Sequence, residues 1–159
     1  MAAHPYQVKL IWQARAKTDP IDARKLADLR RAHLLPTVWV PSPELRAHRK
    51  LLRGRAYLVR LRTSVKPRIH GHLMAENCRT DVTDLYGKAG RAWLATVALS
   101  EMARVQVDLL LELVDLFDLR VKRLDQRVQR LVQADPQAQV LQTWPGIGTF
   151  GAALVLAEI

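Results

Sequence analysis

Apolar positions along the chain change rhythm several times, and each change predicts an element. Val8 to Trp12 (VKLIW) is a short β-prone run that predicts a buried strand. Helical spacing follows in ARAKTDPIDARKLADLRRAHL. There Thr18 or Asp19 can cap, Pro20 suits the first helical position, and Asp22 adds negative charge to the first turn. Ala23, Leu26, Ala27, Leu29 and Leu34 form its expected apolar side, and Pro36 forbids much continuation. Thr37 to Val40 reads as extended between Pro36 and Pro41, after which Ser42-Pro43-Glu44 starts a second helix.

This second helix is predicted to run from about Pro43 to about Asn77. Leu45, Leu51, Leu52, Leu58, Leu61, Val65, Ile69 and Leu73 recur at helical spacing with arginines between them. Pro67 is expected to kink or break it near Ser64 to Lys66. The segment from Arg79 to Gly90 lapses into a polar connection, and a short helix is expected around Arg91 to Leu99.

The clearest period comes next. Val107, Leu110, Val114, Phe117, Val121, Leu124, Val128 and Leu131 alternate steps of three and four, an unbroken heptad seam that predicts a coiled-coil helix. Such a stripe must be covered, either by Pro43–Asn77 folding back or by another subunit. Asp135-Pro136 ends the helix. A helical Gln137 to Thr143 then leads to the turn Pro145-Gly146-Ile147-Gly148, and Thr149 to Ile159 resumes as an apolar helix whose pattern is still running at the last residue.

Composition narrows the class. The 159 residues (18.1 kDa) amount to one ordinary domain or parts of two. With 49% hydrophobic and 25% charged residues the chain is too apolar for a disordered one. Cys78 is the single cysteine, which excludes an internal disulfide framework and a four-cysteine zinc site. No apolar stretch approaches 18 residues and the N-terminus lacks a secretory layout, so a soluble protein of a reducing compartment is expected, with no membrane partner.

Charge changes the picture more. Residues 1–80 hold 17 Lys+Arg against 5 Asp+Glu, whereas 81–159 hold 8 against 10, within a net charge of +10. Ten of the basic residues fall in 44–79, with Glu44 and Glu76 the acids there. Folding does not require such an excess, whereas a polyanion explains it through counter-ion release. Nucleic acid is therefore the expected partner, although charge alone also admits an anionic membrane surface or a merely solvated helix face.

Two motifs could carry chemistry. Asp19 and Asp22 stand three apart at a helix start, so both carboxylates can point the same way and could ligate Mg²⁺; they equally suit a cap and a dipole-favoured first turn. A two-metal centre needs three or four such acids. Pro145-Gly146-Ile147-Gly148-Thr149-Phe150-Gly151-Ala152 fits a helix-hairpin-helix element whose glycines let backbone approach phosphate, or a plain tight turn between helices. His70 and His72 diverge on a helix, and His4, His33 and His48 have no second ligand at useful spacing. Trp12, Trp39, Trp93 and Trp144 are expected as core anchors, and Cys78 as structural.

At these motifs the sequence resembles a known family. The stretch KTDPIDARKLADLRRAHLLPTVWVPSPELRAHRKLLRGRAYLVRLRTSVKPRIHGHL is similar to the middle of insertion-sequence transposases of the DEDD type (the insertion-sequence one-ten family), and LQTWPGIGTFGAALVLAEI resembles the opening of that family's C-terminal transposase domain. The resemblance implies an RNase H-fold, RuvC-like catalytic domain, a coiled coil and a serine-bearing C-terminal domain. It also implies Mg²⁺-dependent, RNA-guided cutting and rejoining of DNA by an Asp-Glu-Asp-Asp tetrad. The KTD-x-x-DA motif places the third and fourth acids at Asp19 and Asp22. The first two belong upstream, where this sequence has 16 residues and no acid.

The expected organisation is mainly α. Residues 1–41 form a small RuvC-like α/β remnant, 42–100 a basic helical segment, 101–135 a coiled-coil helix, and 136–159 the start of the C-terminal domain with its helix-hairpin-helix-like turn. The expected function is DNA transposition, in a truncated piece inactive alone. The alternative is a non-enzymatic helical nucleic-acid binder or a coiled-coil dimerisation module. Arg46, Arg49, Arg53, Arg60, Arg68, Gly146 and Gly148 are the candidate nucleic-acid contacts, with DNA, a guide RNA and a second copy as partners and a cytoplasmic, nucleoid-associated location.

Overall fold

Helix start and stop chemistry sets most of the element order. The computed structural model describes residues 2–11 and 18–158 and contains, among these, seven helices and two two-residue strands. The chain divides into two units, Met1–Arg46 and Ala47–Ile159.

In the first unit, β1 (Ala2–Ala3) pairs antiparallel with β2 (Thr37–Val38), Ala2 opposite Val38. Between them lie α1 (Pro5–Ile11) and α2 (Asp19–Arg31). The strand expected at Val8–Trp12 is thus a helix through Ile11, and Trp12 lies outside the described residues. A short apolar run has no intrinsic choice between the two forms. Here Pro5 opens the first turn and His4 Nδ1 accepts from the Gln7 amide at 3.4 Å, and within the run the buried residue is Val8.

α2 begins with Pro20 in its first turn, with Thr18 at the cap position but making no side-chain cap. Of the expected apolar side only Leu29 is buried; Ala23, Leu26, Ala27 and Leu34 are exposed. The helix stops in a Schellman turn: His33 takes φ 56°, its amide donates to Arg30 O (3.2 Å), and the Leu34 amide donates to Leu29 O (2.9 Å).

The helix α3 (Pro43–Ala75) starts as predicted, with Ser42 Oγ accepting from the Leu45 amide at 3.1 Å. Pro67 does not break it. The proline sits on the solvent side, while Val65 and Ile69 beside it are buried in the core and hold the backbone helical. α3 ends in a second Schellman turn, with Asn77 at φ 54° and the Cys78 amide donating to Leu73 O at 2.8 Å.

The second unit is built on that helix. α4 (Lys88–Thr96) and α5 (Glu101–Ala134) follow, then α6 (Pro136–Gln142) and α7 (Thr149–Glu158). The heptad seam is covered by α3 of the same chain: Val107 and Val114 join Val65, Ile69, Leu73, Leu85 and Leu94 in one core, and Leu110 and Phe117 pack against it. Val121 and Val128 are also buried. Arg55 pairs with Asp125 and Arg62 with Asp118, seven residues forward against seven back, so the two helices run antiparallel. Gly90 is required where α4 meets the preceding segment, because a Cβ there would strike the carbonyls of Asp84 and Leu85. Asp135 caps α6, and α7 packs on α5 and α6.

Two tryptophans depart from expectation. Trp93 packs against the core, but Trp39 and Trp144 are about two-thirds exposed. Cys78 fits a structural role, its thiol donating to Ala98 O at 3.3 Å.

Candidate nucleic-acid interface and carboxylate pair

α3 places its cations on two distinct faces. On the inner side, Arg55 Nε and Nη2 donate to the two oxygens of Asp125 (2.8 and 3.4 Å), and its guanidinium lies 4.5 Å from the centroid of the Phe150 ring. Arg62 pairs with Asp118, leaving its buried Nε without a partner. On α4, Arg91 grips Asp115 with both terminal nitrogens. Arg55, Asp125, Val128, Gln129, Thr149 and Phe150 line an open cavity of about 330 Å³. These cations are explained by the fold.

The outer face is different. Lys50, Arg53, Tyr57, Arg60, Ser64 and Arg68 follow steps of three and four and are all exposed. No acidic residue occurs between Glu44 and Glu76. Among the described residues Lys50, Arg60 and Arg68 make no ion pair, and Arg46 stands exposed in the first turn of the same helix. Two of the predicted contacts have intramolecular partners: Arg49 donates to Ala157 O and pairs with Glu158 at 3.5 Å, and Arg53 pairs with Glu158 at 2.8 Å. Both hold the end of α7 against α3. Lys50 and Tyr57 are not among the contacts expected from sequence, although the step pattern that joins them to Arg60 is visible there.

The glycine turn keeps its backbone accessible. Gly146 takes φ +87°, a conformation that L side chains rarely adopt, and apart from the adjoining residues no atom lies within 4 Å of where a Cβ would stand at Gly146 or Gly148. The turn is tied by Gln142 Nε2 donating to Thr149 Oγ1 at 3.0 Å and by the Ile147 amide donating to Trp144 O at 3.1 Å.

Asp19 and Asp22 both lie in the first turn of α2, Asp19 exposed and Asp22 half-buried. Their carboxylates match the hard-oxygen donors a divalent cation takes. They supply two donors, and among the described residues no group of three or more His, Cys, Asp or Glu side chains is placed to hold a metal.

Residues 2–77 match the family model of the IS110-type DEDD proteins, described as Transposase. Over this segment the chain is similar to the IS110-type DEDD transposases. The matched segment includes α1, α2 and the basic helix, so both the carboxylate pair and the cationic face fall within it. Neither a curated protein nor a solved structure matches the chain. Among the described residues no helix is long and apolar enough to cross a membrane.

Proposed function

We propose that this transposase chain binds DNA, and a guide RNA where one is used, through the outer face of α3, as part of DNA transposition by strand cleavage and exchange. The observation that carries the reading is the division of α3's cations. Those facing α5 are neutralised by its aspartates, while Lys50, Arg60 and Arg68 project outward with no acid among them. A helix stabilising only itself gains nothing from that second row, because among the described residues none of the three makes an ion pair. Phosphates on a polyanion would give these cations partners and release counter-ions in doing so. The open amides at Gly146 and Gly148 suit a further phosphate contact.

Reversing Lys50, Arg60 and Arg68 to Glu is expected to weaken duplex DNA binding. It should also flatten the plot of log affinity against log salt by about 0.9 for each phosphate no longer neutralised. An unchanged slope would remove this face from the interface.

Asp19 and Asp22 would hold a Mg²⁺ ion, which when bound supplies charge neutralisation at a scissile phosphate. The chain's own contribution is two carboxylates on the first turn of one helix, where Pro20 fixes the backbone entering α2. Titration calorimetry with Mg²⁺ or Mn²⁺ is expected to give binding heat that disappears in Asp19→Ala/Asp22→Ala. Equal, negligible heats from both proteins would reduce the pair to first-turn charges and leave a non-enzymatic nucleic-acid-binding helix.

A further inference from the structure

Along the outer face of α3 one large residue is not a cation. Tyr57 is 57% exposed, a ring turned to solvent where the core makes no use of it. On a helix the residues three and four positions away are its neighbours. These place Arg53 one turn before it, Arg60 one turn after it, and Gly54 beside it. Gly54 lies inside a 33-residue helix, where glycine costs about 1 kcal/mol relative to alanine. Beyond the neighbouring residues and the local helix backbone, no atom comes within 4 Å of where a Cβ at Gly54 would stand, so packing against other parts of the chain does not demand glycine there. The same holds at Gly71, further along the helix.

Together these features form a ledge: a bare stretch of backbone next to an exposed aromatic ring, with cations on either side. A duplex offers such a surface its phosphates only, because its bases are stacked on one another. An unpaired strand offers phosphates and, between them, a free base face. From Lys50 to Arg68 the helix rises about 27 Å, long enough for a track of several nucleotides.

We propose that the outer face of α3 is a single-strand nucleic-acid track, in which Lys50, Arg60 and Arg68 hold backbone phosphates and an unpaired base stacks on Tyr57 over Gly54. This rests on the nucleic-acid reading above and specifies the form of the ligand. Ribose and deoxyribose strands present the same stacking chemistry, so the track is defined by single-strandedness, and the sugar is resolved by experiment.

The test uses the full chain with a single-stranded RNA, a single-stranded DNA of the same sequence, and the corresponding DNA duplex, each fluorescently labelled. Tyr57→Ala is expected to lose about 5- to 150-fold in affinity for the single strands, the range of one base–aromatic stack. Tyr57→Phe should retain it, and duplex affinity should hardly change. Gly54→Leu provides the second arm: it should leave the helix as stable or more so, yet weaken single-strand binding by covering the ledge. Comparison of the RNA and DNA arms identifies the preferred sugar.

Equal losses on strand and duplex, or no loss from Tyr57→Ala, would overturn the stacking proposal. If wild type binds duplex with a steep salt slope but single strands no better through Tyr57, the broader reading survives and this one fails. If wild type binds neither form, both fail.

Discussion

Tyr86 ties the irregular segment before α4 to the middle of α3. Its hydroxyl donates to the Lys66 carbonyl at 2.9 Å, the Lys66 ammonium sits 4.2 Å from its ring centroid, and His70 meets the ring edge-on at 6.0 Å. Burial raises its pKa above the ordinary 10.0; the nearby Arg91 charge pulls the other way and Asp84 adds to the rise. The folded state therefore keeps the phenolic proton to higher pH than the unfolded chain does. The contribution is whole below about pH 10 and is lost as pH rises through the folded value. Tyr86→Phe keeps the ring but removes the hydrogen bond, so it is expected to cost about 0.5–1.5 kcal/mol at pH 8. It should also show a shallower fall in stability above pH 10. Urea midpoints at the two pH values check this, and identical midpoints for wild type and variant would refute it. Nothing in the sequence singled out Tyr86, since its partners come from a helix 20 residues back.

At the scale of elements, legibility depended on how many independent signals agreed. α3 and α5 were readable because start chemistry, period and length all pointed one way: Ser42-Pro43 at one start, and seven-residue recurrence from Val107 to Val128 in the other. The run at Val8 had only its apolar residues to offer, and a period too short to separate strand from helix gave the wrong element. Pro67 leaves α3 unbroken for the opposite reason. The rule for a proline inside a helix counts the missing hydrogen bond but not the burial of Val65 and Ile69 on either side. The candidate site was partly readable. The excess of arginine on α3 was plain, but which arginines face outward depends on the register against α5, whose Asp118 and Asp125 lie 56 and 70 residues from the arginines they pair with.

Over the whole molecule, the acidic and basic halves of the sequence are two sides of one charge arrangement. Asp115, Asp118 and Asp125 on α5 occupy Arg91, Arg62 and Arg55, so part of the chain's excess of cations is answered internally, whereas the outer row of α3 is left for a ligand. This makes the aspartates competitors of phosphate as well as pairing partners. Replacing all three with Asn preserves shape and hydrogen-bonding capacity while removing three negative charges. Each pair is partly exposed, and such pairs contribute about 0.2–1 kcal/mol apiece, so the variant should remain folded with a modestly lower urea midpoint. Its nucleic-acid affinity should rise, and the salt dependence should steepen by up to about 0.9 for every arginine that swings to a phosphate. Circular dichroism confirms the fold, and binding titrations between 50 and 200 mM salt, roughly the range where such slopes are read, give the slope. A slope equal to wild type's, in a folded protein, would mean that the inner arginines cannot reach a ligand even when released. The inner arginines would then take no part in recognition, in keeping with a contact through the outer face of α3.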